Sequence, residues 1–108
     1  MRPHGITPKY DGATRAGLAL YEDRLAIYSR DGGRCQTCGE MVDINAFQVA
    51  HRIANTKANR SRFGARIIDH LLNKATTHPG RCNDAQNIGN NPGKCAELVR
   101  RIEEAENA

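Results

Sequence analysis

Four cysteines, Cys35, Cys38, Cys82 and Cys95, are the side chains of this 108-residue chain best suited to holding a metal. In Cys35-Gln36-Thr37-Cys38-Gly39, two thiolates converge from one tight turn, with a glycine directly behind them to relieve the backbone. Zinc takes four nitrogen or sulfur ligands in a tetrahedron, so a partner pair is expected downstream. Cys82 supplies one member. His78 lies four residues before it across Pro79-Gly80, a turn that folds both side chains toward one point. Cys95 competes for the fourth place, but the break Gly89-Asn90-Asn91-Pro92-Gly93 stands between it and Cys82; otherwise it is a small buried residue of the last helix. A redox role for Cys35 and Cys38 would need a βαβ setting with a helix directly after the first cysteine. Here a glycine-rich turn precedes the pair and a polar strand region follows it.

A staple of this kind suits the rest of the composition. Only 39% of residues are apolar, with two Phe, three Tyr and no Trp, so one domain of this length has few large side chains to bury. Sixteen Lys and Arg against 12 Asp and Glu give a formal charge of +4. The charged fraction of 26% is that of an ordinary folded domain, not of a disordered chain. No apolar run approaches the roughly 18 residues of a membrane span. MRPHGITPKYDGATRAGLAL contains no apolar leader core or cleavage signature, so a reducing, cytoplasmic setting without a membrane is expected.

The elements that must position these ligands are read from periodicity. Residues 1–15 form a basic arm, and residues 16–108 a single α+β domain. Leu18, Tyr21, Leu25 and Tyr28 predict a helix from Thr14 to Arg30 with that stripe in the core, ended by Asp31-Gly32-Gly33. Ala46 to His51 predicts a strand with Phe47 and Val49 on one side. Residues 52–66 read as a long basic loop, and Ile67-Ile68 as the opening of a second short strand leading to Asp69-His70-Leu71-Leu72-Asn73. A turn at 78–82, a short helix from Asn83 to Ile88 and a last helix from Lys94 to Ala105 complete the chain. In that last helix Leu98 and Ile102 face inward, and Glu97, Arg100, Arg101 and Glu104 outward.

A strand ending in His51, then Asn73 five residues before His78, then Asn83 directly after Cys82, resembles the HNH nucleases in order and register. The lead-in Arg30-Asp31-Gly32-Gly33-Arg34-Cys35 and the run Val49-Ala50-His51-Arg52-Ile53 also look like that family, and the likeness spans roughly residues 18 to 90. The resemblance implies a ββα-metal unit over about residues 34–89, stapled by a structural zinc and flanked by N- and C-terminal helices. It also implies metal-dependent hydrolysis of DNA phosphodiester bonds, leaving 5′-phosphate and 3′-hydroxyl ends. His51 would be the general base, Asn73 would hold the site and orient the imidazole, and Asn83 would offer an oxygen to a catalytic Mg²⁺, Mn²⁺ or Ni²⁺. Many members place a metal ligand immediately before the base, where this chain has Ala50. Asp69 and His70 are the nearby substitutes, and Gln48 shares a strand face with Ala50.

Arg52, Lys57, Arg60, Arg62 and Arg66 follow the proposed base with no acid among them, a pattern suited to pinning DNA backbone phosphates. Asn55 and Asn59 are within reach of base edges in such a loop, and Phe63 serves either to anchor it or to stack on a base. A single small domain nicks one strand; cutting both requires a homodimer or two successive nicks, and the sequence marks no dimer interface. Two other classes fit parts of the pattern: a nucleic-acid-binding zinc module without catalysis, supported by Ala50, and a zinc-stabilised protein-interaction module. Only the nucleic-acid readings require salt-sensitive DNA affinity.

Overall fold

A computed structural model describes the backbone of residues 15–108 and the side chains from Tyr21 onward. The basic arm expected over residues 1–15 lies outside the described residues, save Arg15, as does the side chain of Leu18. The architecture is α+β. Helix α1 (Arg15–Arg30) leads to strand β1 (Gln48–His51), helices α2 (Lys57–Phe63) and α3 (Ala65–Ile68), a 3-10 turn (Leu71–Asn73), strand β2 (Lys74–Thr77), α4 (Arg81–Ala85) and α5 (Pro92–Glu106). Among the described residues no helix is long and apolar enough to cross a membrane.

The end of α1 is set by the expected glycines. Gly32 and Gly33 take φ of +64° and +70°, and a Cβ on Gly33 would meet the Tyr28 hydroxyl at 3.0 Å. The buried face of α1 differs from the expected stripe. Ile27 is the core residue, at 1% exposure, whereas Tyr21 and Leu25 are 47% and 37% exposed. Tyr28 packs its ring on Phe47 at 4.8 Å and donates its hydroxyl to the Val42 carbonyl. Arg24 covers the same Phe47 ring at 4.2 Å.

The two strands pair antiparallel, with Gln48 opposite Thr77, Val49 opposite Thr76, Ala50 opposite Ala75 and His51 opposite Lys74. The second strand is therefore Lys74–Thr77 and not the segment opened by Ile67-Ile68. Those two isoleucines lie in α3 with exposures of 2% and 0%, in a cluster with Ile53, Cys95, Leu98 and Ile102. Burial against α5 outweighs their β-branched preference for a strand. The expected basic loop is also largely helical. Thr56 accepts a hydrogen bond from the Asn59 amide and caps α2, and Gly64 at φ +89° separates α2 from α3. Phe63 packs against the core cluster and so anchors this segment.

The outer edge of β2 is closed by the C-terminal end of α1. The Thr76 amide donates to the Asp31 carboxylate, the Gln36 amide to the Thr76 carbonyl, and the Arg30 guanidinium to the Leu71 and Lys74 carbonyls. Main-chain groups that would invite another strand are thereby satisfied. Helix α4 starts two residues earlier than expected and ends at Ala85. Helix α5 starts at Pro92, behind an Asn91 side chain that accepts from the Lys94 amide. Leu98 and Ile102 face the core as expected.

Candidate functional site

The clearest site joins three segments. Cys35 and Cys38 lie on the turn after α1, His78 directly follows β2, and Cys82 is in the first turn of α4. Their ligand atoms all lie within 4.8 Å of one another, and the Cys38 sulfur is 3.5 Å from His78 Nδ1. A zinc tetrahedron with bonds of about 2.0–2.3 Å has edges of roughly 3.3–3.8 Å, so the four donors match that ion in type and need to close by at most about 1 Å to match it in spacing. Thr37 locks the turn onto α4, its hydroxyl donating to the Cys82 carbonyl and accepting from the Gln86 amide group. Cys95 is elsewhere: it is buried in the α5 core with its thiol toward the Gly89 carbonyl. Among the described residues no other group of three or more His, Cys, Asp or Glu converges in this way.

The electrostatics of the cluster favour a cation. Burial by itself would raise the Cys35 thiol, but hydrogen bonds from the Cys38, His78 and Thr37 amides and the His78 ring bring it down to about 5. The Cys82 thiol is pushed up to about 11, first because it shares its proton with the Cys35 sulfur. Neighbouring sulfurs thus oppose a further thiolate, and a divalent ion would remove that opposition while displacing protons.

Around this staple the three residues expected to act on a phosphodiester occupy different positions. Asn73 is fully buried. Its Oδ1 accepts from the Ile53 amide at 2.8 Å, and its Nδ2 donates to the Ile53 and Ile68 carbonyls at 3.1 and 2.9 Å. With the Arg52 amide bonded to its own carbonyl, Asn73 ties the exit of β1 to the entry of β2 and the end of α3. His51 is half-buried at the end of β1, opposite Lys74. Its pKa lies below the ordinary 6.5, chiefly through burial, then through the positive charges of Lys74 and Arg60, with Asp69 opposing. Asn83, one residue past the last zinc-type ligand, donates from its amide to Gln48 Oε1 at 2.9 Å. Gln48 and Ala50 lie on the same face of β1 by strand alternation, so the Asn83–Gln48 pair adjoins the buried Ala50. The two substitutes for a ligand at Ala50 have other partners: Asp69 is held by Arg60 in a two-pronged ion pair, and His70 Nδ1 accepts from the Leu72 amide.

The five cations expected on a phosphate-binding loop are divided in the same way. Arg60 pairs with Asp69, and Arg66 reaches across to Glu103 and Glu106 of α5. Arg62 lies over the Phe63 ring at 4.7 Å, Lys57 is exposed at the start of α2, and Arg52 is half-buried between β1 and α5. The acids that engage Arg60 and Arg66 come from outside the 52–66 window. Two features have little sequence signal. Lys74 is only 7% exposed, in a strand too polar to read as buried. The Arg30–Asp31 clamp on β2 shows in the sequence only as an ordinary helix end. No protein-family model, characterised protein or solved structure matches the chain.

Proposed function

We propose that this chain is a metal-dependent endonuclease that hydrolyses DNA phosphodiester bonds, built on a zinc-stapled ββα-metal unit. The observation that carries the reading is the convergence of Cys35, Cys38, His78 and Cys82, in the register that sets His51 at the end of β1 and Asn83 on α4 against that strand. Zinc would be held by those four residues, and its role is to fix the hairpin on α4. His51 takes a proton from the attacking water; its lowered pKa keeps the imidazole neutral and able to do so at physiological pH. Asn73 is a positioning residue, fixing the backbone just beyond His51 through Arg52 and Ile53 and directly preceding the ladder partner Lys74.

Asn83 and Gln48 offer amide oxygens for a hard cation such as Mg²⁺, which accepts few protein ligands when phosphate and water complete its shell. When bound, that cation would neutralise charge developing on the scissile phosphate and the leaving 3′-oxygen. One observation favours a second reading, a nucleic-acid-binding zinc module without catalysis: Ala50 has no donor, and Asp69 and His70 are otherwise engaged.

The test is conversion of supercoiled plasmid to nicked and linear forms with Mg²⁺, Mn²⁺ or Ni²⁺, beside His51→Ala protein of verified zinc content. Cation-dependent cutting that disappears in the variant is the expected result. Salt-sensitive DNA binding without cutting under any cation would replace the endonuclease with the binding module.

A further inference from the structure

Between β2, the 3-10 turn and α5 lies a cavity of about 200 Å³ whose lining includes Arg30, Arg52, Lys74 and Arg101, with Asp31 the one acid. A second depression of about 240 Å³ continues from it, sharing Arg52 and Arg101 and adding Lys94 and Glu97. Both are smaller than the roughly 300–1,000 Å³ of drug-sized ligand pockets, and their size suits a phosphate group.

The charges in this groove are not balanced from within the protein. Asp31 is engaged by Arg30 and the Thr76 amide, and Glu97 is bound by Arg100. Lys74 is 7% exposed, and neither it, Lys94, Arg52 nor Arg101 has an ion-pair partner among the described residues. Arg52 Nε is buried with no hydrogen-bond partner at all. Burial first, and then the neighbouring Arg101 and Arg30 charges, depress the Arg52 pKa, with Asp31 opposing. An orphaned, buried guanidinium N–H is costly unless an acceptor such as an anion completes it.

We infer that this groove, lined by Arg30, Arg52, Lys74, Lys94 and Arg101, is a phosphate-binding track that takes the sugar–phosphate backbone of the nucleic acid. The choice of nucleic acid over free phosphate rests on the endonuclease reading; the cationic groove does not. The track includes Lys74, the residue paired with His51 across the two strands. It shares Arg52 with the surface that the sequence predicts over residues 52–66 but not Arg60 and Arg66, which are tied up by acids.

The experiment uses the full zinc-loaded chain and a fluorescent DNA duplex, with no catalytic cation added, over 50–300 mM salt. Lys94→Ala with Arg101→Ala removes two exposed α5 side chains outside the staple and the His51 region, and zinc content and circular dichroism verify its fold. The slope of log affinity against log salt should fall in magnitude by about 1.8, at about 0.9 per lost phosphate contact, with a ten- to hundredfold loss of affinity at 0.1 M salt. Arg100→Ala, whose side chain is held by Glu97 and Glu104, should leave both unchanged. An unaltered slope and affinity in the double variant would overturn the track, even if plasmid is still cut. Loss of slope in a protein that never cuts plasmid would keep the track and remove the endonuclease. Inorganic phosphate gives the last arm: stabilisation by phosphate that the double variant abolishes, without any change in DNA binding, would assign the groove to a free anion and overturn the nucleic-acid track.

Discussion

Asn73 tests whether the site is held by one side chain or by the surrounding core. Asn73→Ala removes an acceptor from the Ile53 amide and two donors from the Ile53 and Ile68 carbonyls, at a residue with 0% exposure. Each such bond is worth about 1 kcal/mol net, and an orphaned buried partner costs about 1–3 kcal/mol. Water entering the vacated space offsets part of this, so the expected loss is about 3 kcal/mol, against the roughly 5–15 kcal/mol that stabilise a domain. At an m-value of about 1–1.5 kcal/mol/M, the urea midpoint should drop by about 2–3 M with zinc held in fixed excess. Asn73→Asp keeps the shape and the acceptor but sets a carboxylate against two carbonyls, and should cost at least as much. Midpoint shifts below about 0.5 M in both variants would refute the structural role. If plasmid cutting were nonetheless lost, Asn73 would belong to the chemistry and not to the scaffold.

Zinc content gives a second expectation: one zinc per chain, lost in His78→Ala or Cys82→Ser and kept in Cys95→Ala, measured by mass spectrometry of the metal. His51 gives a pH dependence. Because its folded pKa lies below 6.5, the unfolded chain binds more protons in the window between the two values; stability should be whole above about 6.5, fall with acidification through that window and then level off. Urea midpoints measured against pH should show this step, and His51→Gln should flatten it. Asp31 acts at lower pH. Despite the upward push of burial, Arg30 and Thr76 hold its carboxyl below 3.8, so its contribution is present above that value and lost as pH falls through the folded one. Asp31→Ala should cost about 2–3 kcal/mol at neutral pH by freeing the Thr76 amide and Arg30, and should remove that acid-sensitive step.

The parts of this molecule legible in the sequence are those fixed by residue type at short range. Thiolate and imidazole donors must be Cys and His, and a knuckle or a Pro-Gly turn sets their spacing, so the staple can be read directly. The same holds for α5, with its Asn91-Pro92 start and its Leu98/Ile102 period. The illegible parts depend on what lies across the chain. Lys74-Ala75-Thr76-Thr77 has no apolar run, yet all four residues are buried because α1 closes one edge and β1 pairs with the other. Helix α2 buries none of its residues, so no periodic stripe marks it. Tyr21 and Leu25 show the opposite error: the helical period is present, but the body of the domain meets α1 at Ile27 and Tyr28 instead. The candidate base and its partners followed the order of the motif, while Lys74, Arg101 and the Gln48–Asn83 pair became visible only through packing.

The position of Cys82 has a consequence for assembly. A metal joining Cys38 to Cys82 is, in polymer terms, a removable cross-link that closes a ring of roughly 40 residues, restricting the unfolded chain by about 4 kcal/mol on the disulfide scale. His51, Asn73 and Lys74 all lie inside that ring, and Asn83 is the next residue beyond its closure. Loading an ion there would therefore favour the register in which these residues come together. A newly made chain that binds such an ion would gain this restriction on metallation, and stripping the ion with a chelator would remove it.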